Sequence, residues 1–119
     1  MAILAILEDL VFQSKLKEAA APLGPCLEIV RDADSAVRQL ALTPYSLIVV
    51  DLNVSMENPV ALVRRLRQAA VSALIIGYCA HLQTDLQSQA LAAGCSIVLP
   101  RSAFVQRLPG LFRDAVQNA

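Results

Sequence analysis

The chain has 119 residues, 56% of them hydrophobic, and ten Lys and Arg balance ten Asp and Glu for a formal net charge of zero. That length makes one domain and that apolar content fills a core, which excludes a disordered chain. A neutral chain has no electrostatic footprint for nucleic acid or an anionic membrane, and no apolar stretch approaches the roughly 18 residues of a membrane span.

The opening MAILAILEDL has no basic leader region and its apolar run breaks at Glu8, so no signal peptide is expected. Cys26, Cys79 and Cys95 are an odd number without C-x-x-C spacing. They read as buried thiols in a reducing, cytoplasmic setting, with no thiolate metal site. His81 is the only histidine, which argues against a His-based metal centre or a Ser-His pair.

In chain order, residues 2–7 (AILAIL) are a continuous apolar run, the signature of a strand buried on both faces. A helix follows over residues 11–21, with Val11, Phe12, Leu16, Ala19 and Ala20 at helical spacing and Pro22 and Gly24 at its end. Residues 26–30 form a second strand; Asp34 then caps a helix that Pro44 stops. The third strand, residues 46–50, ends on Asp51. Asn58-Pro59 opens the third helix, with Val60, Leu62, Val63 and Leu66 inward and Arg64, Arg65 and Arg67 in solvent. The fourth strand covers residues 73–78, and the fourth helix residues 82–93, with His81 on the surface at its start. The fifth strand covers residues 96–99, and Ser102 caps a last helix that Pro109-Gly110 should kink or break.

Five βα units in a row imply a parallel sheet, doubly wound with helices on both faces, in one domain over residues 1–119 with no output domain. In such a sheet, ligands meet the chain beyond the carboxyl ends of the strands. Glu8 and Asp9 follow the first strand, Asp51 the third, Cys79 and Ala80 the fourth, Pro100 and Arg101 the fifth. If strands one and three are neighbours, three carboxylates converge, and each raises the others' pKa unless a cation joins them. A hard divalent ion, Mg²⁺, suits that set, since it needs only one or two carboxylates with water and backbone carbonyls. Taken alone, Glu8 and Asp9 are ordinary helix-opening acids. Cys79 and Cys95 fall at opposite ends of parallel strands, which argues against a disulfide between them.

The stretches AILAILED, SLIVVDLN and AAGCSIVLPRS resemble the response-regulator receiver domain, the chemotaxis-type phosphoacceptor module, over essentially the whole chain. The resemblance implies a flavodoxin-like (βα)5 sheet in strand order 2-1-3-4-5. It makes Asp51 the acyl-phosphate site, with Glu8, Asp9 and Asp51 holding Mg²⁺ and the Asn53 carbonyl as a further ligand. Its partners would be a histidine kinase and a downstream effector, with a homodimer through the face of the fourth helix, fifth strand and fifth helix.

Several positions depart from the family's pattern. Where the family has Thr or Ser at the end of strand four, this chain has Cys79, a poor donor beside a hydroxyl. Where it has Lys before Pro after strand five, this chain has Arg101 before Ser102; its two lysines, Lys15 and Lys17, lie in the first helix. Arg differs from Lys in reach and geometry, and a standing Arg101–Asp51 ion pair would lower the pKa of Asp51 and fill the anion site. Val98 stands where the family often has a ring, and the loop reads VSMENP where the family commonly has Pro soon after the acid and Gly before helix three. The acid side is kept and the gripping side altered, a pattern that resembles the atypical or pseudo-receivers. The expectation is therefore a non-enzymatic signalling module acting through protein–protein interaction with weak or absent phosphorylation; the alternative is a working phosphoacceptor. A flavin carrier on the same fold is disfavoured, because LEDLVFQSK after the first strand is acidic and lacks glycine.

Overall fold

The computed structural model describes residues 2–53, 57–80 and 84–118. Its elements run β1 (Ile3–Ile6), α1 (Leu10–Ala20), a single 3₁₀ turn (Ala21–Leu23), β2 (Leu27–Val30), α2 (Ala33–Leu42), β3 (Leu47–Asp51), α3 (Pro59–Ala69), β4 (Leu74–Cys79), α4 (Thr84–Ala93), β5 (Ile97–Pro100) and α5 (Arg101–Gln117). The strands form one sheet in the order β2-β1-β3-β4-β5, every pair parallel. Because β1 and β3 are neighbours, the acids after β1 and at the end of β3 share one edge.

Strand alternation sorts the apolar residues onto two faces. Ile3, Ala5, Leu47, Val49, Ile76 and Tyr78 pack with Phe12 and Leu16 of α1 and Phe104, Leu108 and Phe112 of α5. Leu4, Ile6, Ile48, Val50, Ile75 and Cys79 pack on the other side with Ala33 and Ala36 of α2, Leu62, Val63 and Leu66 of α3, and Ala90 of α4. Each fully buried Leu, Ile or Phe contributes about 1.5–3 kcal/mol of transfer free energy. On α4 and α5, Phe104, Leu108 and Phe112 are core, Leu86 is half-buried and Leu91 is exposed. On α1, Val11 is exposed rather than inward, together with Leu10.

The helix starts differ from expectation in two places. Asp32, not Asp34, caps α2: its backbone is extended and its carboxylate accepts from the Ser35 N–H at 2.7 Å. Asp34 already lies within the first turn, where it pairs with Arg65 at 2.8 Å. Ser102 caps nothing, because β5 runs straight into α5 and the extended Pro100 occupies the N-cap position without a side-chain bond. Helix α5 also continues through Pro109 instead of breaking. A mid-helix Pro costs about 3 kcal/mol. Here it sits on the exposed side, while Phe104, Leu108, Phe112 and Ala115 anchor both halves of the helix to the sheet. The expected positions of His81 and of the first residues of the fourth helix lie outside the described residues.

Arg67 is not a solvated side chain. Its guanidinium donates to the carbonyls of Gly94 (2.8 and 3.0 Å), Ala70 (3.0 Å), Val71 (2.9 Å) and Ala73 (2.7 Å), and to Ser96 Oγ (3.3 Å). It thereby ties the end of α3, the start of β4 and the α4–β5 turn together. Gly94 lies at φ +135°, and a Cβ there would sit 2.7 Å from the Arg67 Cβ, so the turn and the arginine require each other. No described helix is long and apolar enough to cross a membrane.

Candidate functional site

The carboxyl ends of β1, β3, β4 and β5 bring Glu8, Asp9, Asp51, Asn53, Cys79 and Arg101 to one rim of the sheet. Asp51 is the last residue of β3 and only 6% exposed, a buried polar residue like Gln13 of α1. Its Oδ1 accepts from the Asn53 N–H at 2.9 Å. Burial pushes the Asp51 carboxyl above its usual range; the Asn53 N–H and the Arg101 charge oppose this, and Asp9 and then Glu8 add to it.

Asp9 has a second duty. It is the N-cap of α1, its Oδ1 accepting from the N–H groups of Val11 (2.9 Å) and Phe12 (3.2 Å). The bland account of this acid, a helix-opening residue, therefore holds, and the cap is also what fixes Asp9 at the rim. Among the described residues, no group of three His, Cys, Asp or Glu side chains is arranged to hold a metal ion. The chemistry of the donors still fits a hydrated Mg²⁺: a buried carboxyl under the field of two acids is stabilised by a cation, and one or two carboxylates are enough.

The gripping side departs from expectation most. Among the described residues the ion pair is Arg65–Asp34, and Arg101 makes none with Asp51. The Arg101 guanidinium instead lies over the rings of Phe12 (5.2 Å to the centroid) and Tyr78 (6.0 Å). The two ring faces offer the guanidinium cation–π attraction. The shift of Asp51 is accordingly upward, not the lowering an ion pair would give. Arg101 Nε is buried without a hydrogen-bond partner.

Cys79 is 1% exposed and packs with the cluster under α2, α3 and α4, the face opposite Asp51; its Sγ lies 4.0 Å from the Leu99 carbonyl oxygen. All three cysteines are buried and free of disulfides.

Two features were not anticipated from the sequence. The Asn53 side chain, considered only for its backbone carbonyl, accepts the Ala80 N–H at 2.8 Å through Oδ1 and so laces the β3 loop to the end of β4. Tyr78, considered only as a strand residue, is the register partner of Asp51. Its ring lies 4.8 Å from Phe12 and stacks on Phe104 at 5.0 Å and 1°. Strand parity was the available signal for Tyr78, since partners in register share a face; nothing local marks the role of the Asn53 amide.

No family model matches the chain, and no curated protein matches it. Solved structures do. The signal receiver domain of an HD domain-containing protein from Pseudomonas fluorescens Pf-5 is 23% identical, with a TM-score of 0.83 over 98% of this chain and 94% of that one. A response regulator from Burkholderia pseudomallei, solved with a phosphorylated aspartic acid, calcium ion and citrate, is 19% identical, with a TM-score of 0.81 over 98% of this chain and 69% of that one. The beryllofluoride-activated NtrC4 receiver domain dimer is 15% identical, with a TM-score of 0.82 over 98% of this chain and 97% of that one. At such identities the likeness establishes architecture: this chain has the flavodoxin-like fold of the response-regulator receiver domains.

Proposed function

We propose that the chain is a receiver domain in signal transduction, acting in the cytoplasm through protein–protein interaction, and that Asp51 accepts a phosphoryl group weakly. One observation carries the proposal: β3 delivers a buried carboxyl to the carboxyl edge of a 2-1-3-4-5 sheet, within the field of Asp9 and Glu8.

A histidine kinase would supply a phosphohistidine. The Asp51 oxygen not held by Asn53 attacks phosphorus, the O–P bond forms as the P–N bond breaks, and the imidazole leaves with the electron pair. Glu8, Asp9 and Asp51, with the Asn53 carbonyl, are the groups that would hold Mg²⁺, which supplies charge neutralisation. The weakness rests on Cys79 and Arg101 standing where the receivers have a hydroxyl and a lysine to grip the phosphoryl group.

A second reading, a module that signals without phosphorylation, is favoured by one contact. Asn53 Oδ1 already occupies the Ala80 N–H, so the rim is partly closed on itself. A Mg²⁺ titration followed by beryllofluoride, read by amide chemical shifts, separates the two. The acceptor reading expects Mg²⁺ to move the Glu8, Asp9 and Asn53 amides, and beryllofluoride to move Asp51 and Ala80. Shifts from Mg²⁺ alone leave the second reading, and no shift at millimolar concentration removes both the cation and the acceptor.

A further inference from the structure

Asp51 and Tyr78 are partners in the β3–β4 register, and alternation sets both side chains on the face covered by α1 and α5. Cys79 packs with the cluster on the opposite face, its Sγ 4.0 Å from the Leu99 carbonyl oxygen. Tyr78 is fully buried and its ring is held between Phe12 and Phe104, which fixes where the hydroxyl stands. That hydroxyl has no hydrogen-bond partner. The contrast within the molecule is direct: the other tyrosine, Tyr45, donates its hydroxyl to Gln39 Oε1 at 3.1 Å. Buried hydroxyls are nearly always bonded, and each exception calls for a cause. Arg101 Nε is a second orphan donor, and its guanidinium lies over the same ring. Both groups interact electrostatically with Asp51. Burial and the Asp51 charge hold the Tyr78 phenol protonated throughout the physiological range, so it stands as a donor. Two buried donors without an acceptor, beside a carboxyl at a strand end, describe a site waiting for an oxyanion.

We propose that the Tyr78 hydroxyl and Arg101 Nε–H are the oxyanion donors of this site, and that Tyr78 supplies from the α1/α5 side the hydroxyl bond that Cys79 does not. The ligand is a tetrahedral anionic group bonded to Asp51, a phosphoryl group or its beryllofluoride mimic, whose fluorines stand for the phosphoryl oxygens. This rests on Asp51 as the acceptor. Removing one hydrogen bond to a charged group weakens binding about tenfold or more.

The test is Tyr78→Phe, which deletes one oxygen and keeps the ring. The full chain is titrated with beryllofluoride in Mg²⁺ and read at the Asn53 and Ala80 amides, with thermal unfolding in parallel. The expected result is affinity lower by about tenfold or more and a melting temperature unchanged or higher. A merely structural tyrosine would not move the two in that way. Equal affinity in wild type and Tyr78→Phe overturns the role of Tyr78 and leaves Asp51 as acceptor. No binding by the wild type overturns the acceptor reading and this proposal with it. Should the variant fail to fold, the wild type decides: its two tyrosines are separable by NMR. Bound beryllofluoride that moves Tyr45 and Tyr78 alike, or neither, overturns the proposal; a shift confined to Tyr78 supports it.

Discussion

Two arginines at opposite ends of the sheet show how this molecule divides its labour. Arg67 makes bonds to four backbone carbonyls and the Ser96 hydroxyl, knitting α3, β4 and the α4–β5 turn. Arg101 stacks over Phe12 and Tyr78 and leaves Nε buried without a partner. Residue type and charge are the same. The amino end of the sheet is polar and satisfied, and its arginine serves stability. The carboxyl end holds an unpaired Nε, an unpaired tyrosine hydroxyl and a carboxyl raised by burial, costs a fold carries where something else completes them.

Truncating both arginines breaks that comparison most directly. Arg67→Ala strands several carbonyls and should cost about 3 kcal/mol of unfolding free energy in urea, with Arg67→Lys recovering little of it. Arg101→Ala should cost about 1 kcal/mol or less, the scale of a partly exposed cation–π contact. Equal losses would dissolve the contrast.

Next in size is Tyr78→Phe, which removes an orphaned buried hydroxyl. Unfolding free energy should stay level or rise by about 1 kcal/mol, while beryllofluoride binding weakens. A loss of stability would mean that the hydroxyl has a partner in solution.

Asp51→Asn should raise stability at neutral pH in metal-free protein. The sign follows from linkage. The folded pKa of Asp51 lies above the unfolded one, so between the two the native state binds more protons and unfolding free energy falls as pH rises. The gain of Asp51→Asn over wild type should be present at pH 7 and fade below about pH 4, where both states are protonated. A pH-independent difference in melting temperature would show that the charge is not the cause.

The smallest effect separates two neighbouring acids. Asp32 is held below the usual carboxylate range, chiefly by the Ser35 N–H, so its contribution is present above the unfolded pKa and lost as pH falls through the folded one. Asp32→Ala should lower the melting temperature at neutral pH, and Asp34→Ala, in an exposed pair, should barely move it.

The order of elements was legible because each βα unit announces itself locally. A short apolar run is followed by helical spacing and a Gly or Pro stop, and the five runs land within a residue or two of the observed strands. The cap on α2 falls on Asp32 and not on Asp34 two residues later, because backbone dihedrals decide the cap and composition does not. Pro109-Gly110 signals a kink or a break because the cost of Pro is local, while the burial that offsets it comes from α1 and the sheet. In the candidate site, the acids were visible as residues that end strands. The arginine's direction was not, since Arg101 over a ring and Arg101 on a carboxylate look identical in one dimension.

By itself, then, the amino-acid sequence determined which segments are strands and helices, which residues reach the rim, and that Asp51 ends the third strand. These follow from local periodicity and the strict alternation of a strand. The tertiary structure alone decided which rim groups are satisfied: that Arg67 is spent on carbonyls, that Asn53 closes on Ala80, and that Tyr78 and Arg101 stand beside Asp51 with donors unused. Hydrogen bonding and desolvation depend on neighbours distant along the chain, so they exist only once the sheet and its helices have closed around them.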